Sequence, residues 1–329
     1  MIDKLKEIWQ RILNAPIIKQ VLEWSKKYSL PGFAGVPVYN IIIFIYKEMM
    51  RDNITTRANS VAFSLFIAIF PFIIFIFTLL PMLPISADYL LLIREYLTGV
   101  MPNNANNYLL SIIEGILSIK RGGLLSLGFF LAIFFASSGM LTLMAGFDKS
   151  YEGTFKNRSY LKKRWVALML TILLAFLFIG SFILLIFGNV IVSYLENHFA
   201  LPDITVFLIS IFKSLVAFAI LYIVITIIYK YGSAMNKRVN FINPGSILAT
   251  VLSVLTSFGF SYFVNNFGRY NELYGSIGAL IVIMLWLQFN AFVILIGYEL
   301  NASIAVNRDL LYSDELYYEE PEDRVKSEV

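Results

Sequence analysis

The sequence predicts an all-α, multi-pass membrane protein with six transmembrane helices, an N-terminal interfacial helix and short external helices. Three observations carry that prediction. The 329 residues are 58% hydrophobic and only 15% charged, against about 25% charged in an average soluble domain. Mean hydropathy is +0.74. Apolar runs beyond the roughly 18 residues that a span requires recur along the chain, and they lack the apolar–polar alternation of barrel strands. This composition excludes an ordinary soluble enzyme and a nucleic-acid-binding domain.

The elements follow in chain order. Residues 2–24 read as an amphipathic helix. Ile2, Leu5, Ile8, Trp9, Ile12 and Leu13 recur at helical spacing, with Lys4, Lys6, Arg11 and Lys19 between them, the pattern of a helix lying on a membrane surface. Leu30-Pro31-Gly32 ends it, and 1–37 is read as a cytoplasmic interfacial segment. The first 30 residues lack the short apolar core and small-residue cleavage site of a removable signal peptide, so the first span is expected to act as an uncleaved insertion signal. Residues 38–50 are apolar but too short to cross. The transmembrane domain is placed at 38–306, with spans at 60–83, 124–147, 165–195, 204–229, 247–267 and 276–306. The third is longer than a hydrocarbon core of about 30 Å needs, so it should tilt or protrude. Segment 84–123 carries Leu109, Leu110, Ile112, Ile113, Ile116 and Leu117 at helical spacing and is expected to hold two short external helices. The tail 307–329 is acidic and is expected to be disordered. No internal repeat is evident.

Orientation follows from Lys and Arg. Residues 1–59, 148–164, 230–245 and the tail carry twenty-one, against five in the spans and the opposite segments. By the positive-inside rule both termini should be cytoplasmic. The net charge of +4 is explained by this topology, and nothing in it points to nucleic acid.

Two ionisable residues fall inside spans. Lys213 lies about 14 Å into the fourth, near the midplane, where a lysine costs about 2.5–3.5 kcal/mol on insertion scales. It must face water or a partner: either an internally satisfied lysine, or a cation lining a polar cavity that attracts an anionic group. Glu299 falls near the cytoplasmic end of the sixth span, level with Arg57, so an Arg57–Glu299 clasp between the first and last spans is predicted. Ser253, Ser257, Ser261 and Asn265 are spaced by four and form a drifting stripe, read as helix packing or cavity lining. Gln288 shares a face of the last span with Glu299, and Asn290 shares another with Asn301, which predicts a helix buried in the bundle. Pro71 should kink the first span and act as a hinge.

The chain has no Cys and one His, His198. Disulfides and thiolate sites are therefore ruled out, and neither a phosphate-binding loop nor a His pair is present. No catalytic residue, metal or cofactor is expected.

The run Asn271-Glu272-Leu273-Tyr274-Gly275-Ser276-Ile277-Gly278-Ala279, followed by Trp286 and by Gly297-Tyr298-Glu299-Leu300-Asn301, resembles the YihY/virulence factor BrkB family of bacterial inner-membrane proteins. Arg57 to Pro71, the basic run Asn157 to Arg164, and Pro244-Gly245 also resemble that family. The likeness covers roughly 40–306. It implies six spans in the bacterial cytoplasmic membrane and a role in the envelope, with transport of a lipid or amphiphile as the family-level expectation. The family was once labelled ribonuclease BN, a reading for which this sequence offers no metal-binding cluster. The leading expectation is a transporter or flippase-like protein for an anionic lipid or amphiphile. Its partners would be membrane lipids, with the headgroup passing Lys213 and the Ser253–Asn265 stripe. Flexible points are expected at Pro71 and at Tyr274-Gly275. The alternative is a non-catalytic scaffold recruiting envelope-assembly partners through its external helices or tail.

Overall fold

The structure is a computed structural model. It describes residues 16–51, 53–79, 122–149, 151, 153–198, 203–266 and 276–319. Among these residues the regular structure is helical, joined by loops, with one isolated antiparallel bridge, Phe155 to Met235. The helices are α1 (Pro16–Lys27), α2 (Val38–Arg51), α3 (Ile54–Leu79), α4 (Gly122–Gly146), α5 (Tyr160–His198), α6 (Asp203–Ile227), α7 (Pro244–Asn266) and α8 (Ser276–Glu319). Six of them, α3 to α8, are long and apolar enough to cross a membrane. A π-helical turn, Ile228–Gly232, closes α6.

The helices depart from the expected spans mainly at their ends. α3 begins at Ile54, before the apolar run, because its first turn is polar but still packs: Ile54 and Ala58 are buried. The last helix continues to Glu319, so the tail expected to be disordered from 307 is helical as far as that residue. Its beginning is held by Thr154, whose hydroxyl donates to Asp309 at 2.9 Å; acidic composition alone did not reveal that tether. The proposed external helices in 84–123, Tyr274-Gly275, and residues 2–15 of the amphipathic segment lie outside the described residues.

Burial is concentrated at one end of the bundle. The main core joins the start of α3 (Ile54, Ala58, Val61), the end of α4 (Leu143, Met144), Phe147 just after it, the start of α5 (Ala167, Leu170), the end of α6 (Ile225), the π-turn (Tyr229) and the middle of α8 (Ala291 to Ala305). In α8 every residue from Gly297 to Val306 is buried. Phe147 stacks on Tyr298 at 4.2 Å between ring centroids, and Tyr229 meets both rings edge-on, an arrangement that adds to simple area burial. A smaller core seats Phe33, Val36 and Ile41 against Leu300 and Ile304, docking α2 on α8. This is also the end at which the basic loops 147–159 and 233–243 lie, and it is called the basic end below.

Candidate functional site

Two polar features share the basic end: a buried ionic cluster and an open basic cleft. The cluster is built from four elements. Glu48 projects from the inner face of α2, Arg57 from the first turn of α3, Lys149 from the loop after α4, and Glu299 from the middle of α8. Lys149 donates to Glu48 Oε2 at 2.8 Å and to Glu299 Oε1 at 2.7 Å, with its side chain only 1% exposed. Arg57 Nη1 reaches the same Glu299 oxygen at 3.4 Å and the Gly146 carbonyl at 3.1 Å. Tyr151 donates its hydroxyl to Glu48 Oε1 at 2.8 Å. Two carboxylates and two cations thus cancel in charge, which is what makes their burial tolerable. The structure brings Arg57 and Glu299 together, and it adds Glu48 and Lys149, which the sequence reading missed. Lys149 was counted only as a topological charge, and Glu48 sits in a helix too short to span.

Next to the cluster the Gly297–Asn301 motif fastens α8 to α7. Asn243 caps α7: its Oδ1 accepts from the backbone N–H of Ser246 at 2.8 Å, with Pro244 at the first helical position, where a missing N–H costs nothing. Asn301 completes the cap. Its Oδ1 accepts from the Gly245 N–H at 3.0 Å, and its Nδ2 donates to Asn243 Oδ1 at 2.7 Å. The helices cross here backbone against backbone. A Cβ on Gly297 would stand 2.6 Å from the Gly245 carbonyl oxygen and 2.6 Å from the Tyr229 hydroxyl. These motif residues therefore lock helices together.

The cleft has a volume of about 560 Å³ and lies between the start of α5 and the loop after α6. Its wall carries four cations, Lys156, Arg158, Lys162 and Arg238, with the amides of Asn157 and Asn236. Its floor is apolar: Val166, Met169, Leu170 and Leu173 of α5. The two loops are clipped by the Phe155–Met235 bridge and by backbone hydrogen bonds from Lys156 to Ala234 and from Asn236 to Thr154, both 2.8 Å. Arg158 closes the π-turn, donating to the carbonyls of Tyr231 and Gly232 at 3.2 Å and of Ser233 at 2.6 Å; carbonyls at a helix C-terminus call for such a cation. Burial pushes the Arg158 guanidinium below its ordinary pKa, and the charge of Asp148 opposes that shift. A smaller polar cavity of about 280 Å³ adjoins the cluster, walled by Asp148, Lys149, Tyr151, Lys156 and Lys163 among others.

A third cavity lies within the spans. It holds about 420 Å³ between α3, α4 and α5, lined by Phe72, Phe75, Phe129, Ala132, Ala136, Ala175 and Phe176 among others. Among its described lining residues Thr171 is the single hydroxyl, and it turns back to the Ala167 carbonyl at 2.8 Å. Pro71 is buried just before Phe72.

Other residues singled out from the sequence fall elsewhere. Lys213 is half-buried on α6 and lines none of these three cavities. The serine stripe separates: Ser253 is buried, whereas Ser257 and Ser261 are exposed. Successive positions four apart rotate about 40° in a helix of 3.6 residues per turn, which carries the stripe out of the α7–α8 contact, and Ser257 bonds back to the Ser253 carbonyl at 2.9 Å. Asn265 lies on α7. Gln288 and Asn290 are half-buried, and Asn290 donates to the Trp286 carbonyl at 2.8 Å. Ser276 begins α8 and Gly278 is buried in its first turn. Among the described residues there is no group of three or more His, Asp or Glu placed to hold a metal ion.

The family model for virulence factor BrkB matches residues 45–317. A ribonuclease-like protein, YfkH, of Bacillus subtilis is 30% identical over 78% of this chain and 91% of its own length. A UPF0761 membrane protein of Alteromonas mediterranea is 27% identical over 80% of this chain and 86% of its own. Another, of Prosthecochloris aestuarii, is 26% identical over 82% of this chain, which spans 62% of that relative. No solved structure matches. With six membrane-crossing helices and a family match from the second helix to the end of the last, this integral membrane protein belongs to the virulence factor BrkB family.

Proposed function

We propose that the protein is a transporter or flippase-like carrier of an anionic lipid or amphiphile. It sits in the bacterial cytoplasmic membrane with both termini and the basic end in the cytoplasm, and it serves envelope homeostasis without enzymatic chemistry. The observation that carries this reading is the apolar cavity of about 420 Å³ among α3, α4 and α5. Phe72, Phe129, Phe176 and Ile179 of its wall are 49%, 43%, 70% and 54% exposed, so the recess opens on the face of the bundle, and an apolar recess at the level of the spans is room for hydrocarbon. The alanines Ala132, Ala136 and Ala175 leave the recess open, and the buried Pro71 marks where α3 can flex beside it. Lys213, on α6 and off the wall of this recess, supplies a cation within the spans for the charged end of such a molecule.

The test is translocation in proteoliposomes containing fluorescently labelled phosphatidylglycerol, with an impermeant quencher added outside. The wild-type protein should expose inner-leaflet label to the quencher faster than protein-free vesicles. Ala136→Phe with Ala175→Phe fills the recess, and Lys213→Ala removes the cation; each should bring the rate close to the protein-free value while the protein still elutes as a folded species. A wild-type rate equal to that of empty vesicles defeats the reading in favour of a scaffold.

A further inference from the structure

We propose that the cleft of about 560 Å³ between α5 and the π-turn is a binding site for the phosphate headgroup of an anionic phospholipid in the adjoining leaflet. It rests on the transport reading only for its place in a transport path, since binding can be measured by itself.

Charge is the first argument. Among the described residues of the wall four are cationic and none is acidic. Arg158 is committed to the π-turn carbonyls and contributes its field from the back of the cleft. Lys156, Lys162 and Arg238 are exposed around it, where flexible ammonium and guanidinium groups can converge on phosphate oxygens. Asn157 adds an amide to the same wall.

The assembly of the cleft is the second argument. A cytoplasmic location requires basic residues on one side of the membrane; it does not require them to line one concavity. Here Lys156 and Arg238 come from loops far apart in sequence, and the Phe155–Met235 bridge holds those loops together. Asp148 acts on Arg158 from outside the wall, and an anion in the cleft relieves the repulsion among the exposed cations.

The floor decides which phosphate. Val166, Met169, Leu170 and Leu173 belong to the membrane-crossing part of α5, and Met169 and Leu173 remain 54% and 42% exposed. Trp165 stands at the junction, 62% exposed, the residue type that settles at headgroup level. A soluble phosphate gains nothing from this wall. A phospholipid lays its first methylenes along it with the headgroup among the cations.

The probe is dioctanoyl phosphatidylglycerol, titrated into the full-length protein in neutral detergent, with dioctanoyl phosphatidylcholine as the uncharged comparison. Phosphatidylglycerol should bind more tightly, and added salt should weaken it. The triple variant Lys156→Gln, Lys162→Gln, Arg238→Gln changes exposed residues only and should bind it about 100-fold more weakly, the combined weight of three interfacial cations. Met169→Asn with Leu173→Asn should weaken the lipid while leaving glycerol 3-phosphate binding unchanged. Equal binding of the two lipids, or unaltered affinity in a triple variant that elutes as the wild type does, overturns the site. Glycerol 3-phosphate binding as tightly as the lipid overturns it in favour of a soluble anion. Phosphatidylglycerol that binds in the cleft but is not translocated defeats the transport reading and upholds this one; translocation with no preference for phosphatidylglycerol at the cleft does the reverse.

Discussion

At the scale of single residues, the ionic cluster at the basic end has the most consequence. Lys149 touches both buried carboxylates, so its loss takes a cation from Glu48 and from Glu299 at once and leaves Arg57 to hold Glu299. Lys149→Met is expected to destabilise the protein by about 3–5 kcal/mol, the cost of breaking a buried pair from one side. Adding Glu48→Gln to that variant should recover part of the loss, because one of the two carboxylates that lost the Lys149 cation is then neutral. Heat treatment in detergent followed by size-exclusion chromatography measures both, and a Lys149→Met protein as stable as the wild type would mean that water or another cation already solvates the carboxylates. Arg57 and Glu299 were legible in the sequence because each is an ionisable group at the edge of an apolar run, and depth along the helix placed them at one level. Their partners were not legible. A basic loop residue looks the same whether it faces water or plugs a buried cluster, and only the fold around Gly146 and Tyr151 tells the two apart.

At the scale of elements, α7 and α8 are joined by a cap and a close crossing. The sequence displayed the parts, Pro244-Gly245 in one place and Gly297 through Asn301 in another, but pattern alone does not say that the two segments touch. In the structure Asn301 satisfies the Gly245 N–H that Asn243 leaves open, and Gly297 lets the backbones meet. Gly297→Ala should therefore cost about 1–3 kcal/mol as overpacking, because its new methyl faces a carbonyl oxygen, a tyrosine hydroxyl and the Ala249 methyl rather than a flexible side chain. Asn243→Ala should cost about 1 kcal/mol, as a lost cap. The two effects should fall below additivity when combined, since both loosen the start of α7. Thermal inactivation of the purified variants orders them, and an Asn243→Ala effect larger than that of Gly297→Ala would assign the stability to the cap rather than the crossing. The π-turn at the end of α6 is the element least visible in the sequence: Tyr231-Gly232 gives no periodic signal, and the guanidinium that closes it comes from Arg158 in a separate loop.

At the scale of the whole molecule, hydropathy exposed the six crossings but not where the bundle is tight. An apolar residue that faces lipid and one that faces another helix score alike: Phe176 is 70% exposed and Phe258 72%, while Phe147 is fully buried. The tight half is the basic end, so the orientation of the chain decides which face of the membrane holds the cluster and the cleft. In the orientation we propose, the bias of Lys and Arg puts that end in the cytoplasm. The absence of native cysteine makes this directly measurable, because any thiol introduced is the only one present. Cysteine replacing Lys237, an exposed residue of the loop after α6, should resist a membrane-impermeant maleimide in intact cells and react once the membrane is permeabilised. Cysteine replacing Lys120, between the first and second crossings, should react in intact cells. The opposite pattern would turn the cleft outward, and an anionic lipid reaching it would then come from the outer leaflet. Mixed labelling at both positions would mean dual insertion, in which case charge bias alone would not set the orientation and the tightly packed end would occur on both sides of the bilayer.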